Sequence, residues 1–120
     1  MDGYTADEVR KALLPVASLI SKSQKALLKL DSKTWQYAML QDGLKALRIA
    51  HELLDRPAGD VPAMSREDLR EALGVLDSMI SRVGNTKAFA PGTSAHTLQR
   101  NRLKALRIAH GAMRAALERR

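Results

Sequence analysis

The sequence predicts an all-α protein, an antiparallel four-helix bundle built from two duplicated helical hairpins. Three observations predict it. The octapeptide LKALRIAH occurs at Leu44–His51 and again, letter for letter, at Leu103–His110. The flanking sequence continues the match, so two related units are expected at 5–54 and 65–113, joined by a linker at 55–64. Apolar residues recur at three- and four-residue steps, and no run alternates with the period of two that a half-buried strand requires.

The first element is expected to start at a capping box, Thr5-x-x-Glu8, where hydroxyl and carboxylate satisfy orphan amides at a helix N-terminus. Its counterpart sixty positions on is Ser65-x-x-Asp68. Between Thr5–Ser21 and Ser65–Ser81 six positions are identical, and others swap like for like, as Val9 with Leu69. The stripe Val9, Leu13, Val16, Ile20, Ser23, Leu27, Leu30 steps by four and three, which keeps one helix face apolar. Pro15 lies within it and is expected to bend the helix without ending it. The third element repeats the stripe as Leu69, Leu73, Leu76, Ile80 and Val83. Gly84-Asn85 reads as a C-cap, competing with an extension to Ala88.

The hairpin breaks are expected at Asp31-Ser32-Lys33 and Ala90-Pro91-Gly92, with Thr34 and Thr93 as N-caps of the second and fourth helices. From Thr34 against Thr93 the offset becomes 59. The second helix is expected to turn Met39, Leu40, Leu47, Ala50, Leu53 and Leu54 inward. The fourth matches with Leu98, Leu106, Ala109, Ala112, Met113 and Leu117. Amphipathic helices of this kind bury their stripes against one another, and short loops favour antiparallel neighbours.

Composition bounds the chemistry. The chain has 120 residues, suiting a single domain over 1–120. With 45% hydrophobic but 3% aromatic residues, the core must be aliphatic. Absence of cysteine removes thiolate metal sites and thiol nucleophiles and suits a reducing compartment. The acidic start MDGYTADE does not resemble a signal peptide, and the longest apolar run, Ala12–Ala17, falls short of the ~18 residues of a membrane helix. A soluble, cytoplasmic protein with no membrane partner is expected.

The formal charge of +7 is unevenly placed. Residues 1–59 carry 9 basic and 7 acidic side chains, while residues 60–120 carry 11 and 6. On a helix, Arg100, Lys104, Arg107 and Arg114 share one side, with Arg102 nearby. Such a stripe can track a phosphate backbone, although the chain has few aromatics on which bases would stack. Nucleic acid is therefore the alternative partner.

The other candidates are weaker. In the octapeptide, Lys45 and Arg48 are expected to face outward and His51 to sit at the core boundary, an inheritance of packing or a repeated binding face. His51 and His110 are expected on diagonal helices, too far apart to share an ion, so no metal or cofactor is anticipated. Trp35 and Tyr37 stand where the second unit has Ser94 and His96, marking either a greasier core or a surface anchor for a partner protein or second copy. No phosphate loop, serine elbow or His–carboxylate cluster points to catalysis. The expected function is a non-enzymatic interaction module.

Overall fold

A computed structural model describes residues 5–55, 65–85 and 92–118 of the chain. It contains four helices: α1 (Ala6–Leu27), α2 (Trp35–Asp55), α3 (Arg66–Asn85) and α4 (Ser94–Glu118). Among the described residues there is no strand, and the helices pack as an all-α four-helix bundle.

The helix starts follow from side-chain caps. At α1 the Glu8 amide donates to Thr5 Oγ1 at 3.1 Å while the Thr5 amide donates to Glu8 Oε1 at 3.3 Å, completing the capping box. Ser65 accepts from the Asp68 amide at 3.1 Å, Thr34 from Tyr37 at 3.3 Å and Thr93 from His96 at 3.2 Å. Each hydroxyl thus satisfies an amide that the helix leaves orphaned. Gly92, just ahead of the Thr93 cap, has φ +86°, a conformation that a side chain would strain.

Helix α1 runs through Pro15 but ends at Leu27, three residues short of the expected stripe. The amides of Lys29 and Leu30 fold back onto Ala26 and Leu27 carbonyls at 3.1 and 3.2 Å, tightening the chain out of the helix. Asp31 then builds a turn, accepting from Lys33 through its side chain and from Thr34 through its carbonyl. Leu28 is left 88% exposed. In the second half the described part of α3 reaches Asn85; the alternative end at Ala88 and the break residues Ala90 and Pro91 lie outside the described residues. The linker residues 56–64 do too.

Core placement brings the second and fourth helices, expected as diagonals, into contact. Helices α2 and α4 touch each other as well as both remaining helices, whereas α1 and α3 do not meet among the described residues. The two middle helices are therefore not separated diagonals. They carry most of the buried side chains: Leu47, Ala50 and Leu54 on α2 match Leu106, Ala109 and Met113 on α4. Ala50 and Ala109 are fully buried, and small side chains at such positions let two helices approach. Outer helices α1 and α3 supply Ala12, Val16, Leu69, Ala72 and Leu76. Leu13 and Leu73 pack at the core margin.

Met39 and Leu98, expected inward, are 46% and 47% exposed. They occupy equivalent places, and both point along the correct face of their helices. Near the starts of α2 and α4, however, that face is not fully covered.

Leu69→Ala or Leu76→Ala, each fully buried, is expected to cost about 2–5 kcal/mol by denaturant unfolding. Leu28→Ala should change stability by no more than about 0.5 kcal/mol, and Thr5→Ala should cost about 1 kcal/mol. A Leu28 substitution as costly as the core ones would contradict this packing.

Candidate interaction surfaces

The repeated lysines have defined partners. Lys104 Nζ lies 3.2 Å from Glu8 Oε2, and Lys45 Nζ lies 3.5 Å from Asp68 Oδ1. Lys45 and Lys104 are the same letter of the octapeptide, and Glu8 and Asp68 are the same position of the capping boxes. Each half thus sends its lysine to the first turn of the other half's leading helix. Acids in a first helical turn also complement the helix dipole. The octapeptide lysines are accordingly contacts between halves as well as surface charges.

These contacts perturb the acids. Glu8 is held below the usual carboxylate range, first by the Thr5 amide and then by Lys104. Asp68 is lowered by the Ser65 hydroxyl and then by Lys45. Asp7 is lowered by hydrogen bonds from Arg10, at 2.7 Å, and Lys11.

The basic tract is only partly free. Arg100, Arg107 and Arg114 are exposed on α4, while Lys104 among them is paired with Glu8. The equivalent positions of α2 are Gln41, Lys45, Arg48 and Asp55, so the α4 stripe carries +4 where α2 carries +1. Arg102 is half-buried, and its Nε is buried without a hydrogen-bond partner. Its counterpart is Gly43, where an added Cβ would come within 2.9 Å of Met79 Cε. That atom is the flexible end of the Met79 side chain, which would have to shift to admit a Cβ at position 43.

Both octapeptide histidines are half-buried at the core boundary, as expected. Their helices touch, so separation between helices does not exclude a shared ligand. Instead His110 Nε2 lies 2.7 Å from Asp77 Oδ1, in an electrostatic contact not aligned as a hydrogen bond. The position equivalent to Asp77 in the first half is Ala17. Among the described residues no group of three His, Asp or Glu side chains is arranged for a metal ion. No helix of the described residues is long and apolar enough to cross a membrane.

Trp35 is 68% exposed at the first position of α2, which overturns the greasier-core account of it. Tyr37 is half-buried and lines a groove of about 810 Å³ between α1 and α2. Lys25, Leu28, Leu44 and Arg48 share that groove. A second groove, about 570 Å³, lies between α2 and α3, floored by Ala46, Ile49, Ala72 and Val75 and edged by Asp42 and Glu71. Leu14 is 78% exposed on α1. Neither groove was legible in the sequence, since both depend on how neighbouring helices splay. Leu14 did leave a signal: its repeat partner is Gly74, so nothing in the second half packs through a side chain there.

No protein-family model, curated protein or solved structure matches the chain.

Because the native carboxylates have lowered pKa values, their contribution is present above the unfolded value of about 4 and is lost as pH falls through the folded values. An E8Q/D68N variant should therefore show a flatter loss of stability between about pH 5 and pH 2 than the natural chain. Urea midpoints measured across that range check it, and parallel curves would contradict it.

Proposed function

We propose that this protein is a non-enzymatic binding module that engages an acidic, amphipathic segment of a partner protein along the α1/α2 groove. The observation that carries this reading is the apolar surface gathered at the α1–α2 turn. Leu28, 88% exposed, lines the groove together with Leu27 and Leu44. A large exposed apolar side chain lining a groove marks an interaction surface more often than an isolated one does. Lys25 and Arg48, beside Lys45 with its Asp68 partner, stand against a single lining acid, Glu52, and give the groove a positive rim. That combination suits a helix presenting leucines on one face and carboxylates on its flanks.

The scaffold reading is that the two halves descend from one duplicated helical hairpin and work in a cytoplasmic setting. Its support is the repeat, together with burial that follows it. From 5–20 against 65–80 the burial class agrees at every position but Val9 and Leu69. A second functional reading, nucleic-acid binding by α4, is favoured by one observation: Arg100, Arg107 and Arg114 remain exposed along one side. It requires retention on heparin that falls steeply with salt and is lost in the Arg-to-Glu triple variant.

Trp35 lies outside the groove lining, so binding is read by isothermal titration calorimetry. A helical Leu/Glu amphipathic peptide should give saturable heats of binding, and a Leu/Lys peptide of the same pattern should not. Leu28→Glu and Arg48→Glu should each weaken binding by about tenfold or more. Equal binding of both peptides, or no binding of either, would remove the proposal.

A further inference from the structure

The two outer faces of the bundle, α1/α4 and α2/α3, are built from repeat-equivalent residues, and the differences between them are complementary. Their inner positions agree: Ala12 and Ala72 are buried, as are Ala105 and Ala46, and Ile108 and Ile49. Their outer positions do not. Where α1 raises Leu14, 78% exposed, α3 has Gly74, whose missing side chain would meet nothing within 4 Å. Where α1 carries Lys11, α3 carries Glu71, and where α4 carries Asn101, α2 carries Asp42. One face is thus a basic ridge with a leucine standing out of it. The other is an acid-edged groove of about 570 Å³ with an apolar floor.

We propose that the α1 ridge around Leu14 of one copy docks into the α2/α3 groove around Gly74 of a second copy, so that the chain self-associates head to tail. Leu14 enters the hollow above Gly74, over the apolar floor of Ala46, Ile49, Ala72 and Val75. Lys11, 76% exposed and paired with Asp7 of its own first turn, exchanges that partner for Glu71 and Asp42 of the second copy. Exposed ion pairs on one helix are weakly held, so the exchange is undemanding. Because α1 and α3 lie apart on either side of the α2/α4 pair, each copy keeps one ridge and one groove available. Such a contact is heterologous: it joins unlike patches and extends to further copies unless the rotation closes a ring. This surface is separate from the α1–α2 turn proposed above to take a partner.

Analytical ultracentrifugation over a concentration series tests the assignment, using Leu14→Glu and Gly74→Leu variants. Both substitutions are at exposed positions, a Cβ at 74 meets nothing within 4 Å, and leucine favours the helix over glycine. Circular dichroism should show unchanged helix content. The natural chain should gain mass with concentration beyond a dimer, and each variant alone should stay monomeric. An equimolar mixture should form dimers and stop there, since one variant keeps a working groove and the other a working ridge. Raising the salt should weaken the natural assembly. If Leu14→Glu disturbs α1, Leu14→Ala serves in its place. A natural chain that remains monomeric at about 1 mM overturns the proposal. So does association of the single variants at the natural strength, or a mixture that yields no dimer.

Discussion

The close contact of α2 with α4 is the constraint on which the rest of the molecule depends. In a square bundle each helix has two neighbours, and the middle is filled by large side chains. Here the two helices that carry the octapeptide meet each other, and Ala50 and Ala109 are fully buried within the bundle. Alanine contributes little apolar area by itself. It permits an approach that brings Leu47, Ile49, Leu106 and Ile108 out of water on either side. With the middle occupied, α1 and α3 can pack only against the outside of the pair. The radius of gyration, 14.5 Å, is near the ~14 Å that a compact chain of this length should have.

That arrangement gives the repeated octapeptide its physical sense. Its apolar letters line the central pair, and its lysine reaches the opposite half's capping box. The surrounding surface is under no such constraint, and there the halves differ. Lys11 stands against Glu71, Leu14 against Gly74, and the α4 basic stripe against the nearly neutral stripe of α2. Binding properties are accordingly sought in the differences between halves, and stability in what they share.

Much of the fold was legible in the sequence for this reason. The caps at Thr5, Thr34, Ser65 and Thr93 and the core positions Val16, Leu69, Leu76 and Leu106 follow from local chemistry and helical period. The end of α1 was placed too late because Leu27 and Leu30 continue the stripe, while the turn built by Asp31 stops the helix first. Met39 and Leu98 show the limit of periodicity: it gives the direction of a side chain but not whether another helix covers that turn. The α2–α4 contact and the two grooves were illegible, since they depend on spacing between helices. Of the candidate site residues, Arg100, Arg107 and Arg114 are displayed as the stripe suggested and Trp35 is exposed, whereas Lys104 is drawn into a contact between halves.

The central claim is tested most directly by enlarging the buried alanines. Ala50→Leu and Ala109→Leu, measured by urea unfolding beside the exposed control Ala38→Leu, are expected to lose about 1–3 kcal/mol each, with the control near zero. If leucine is accommodated at 50 and 109 as easily as at 38, the two middle helices do not meet closely, and this account of the bundle is wrong.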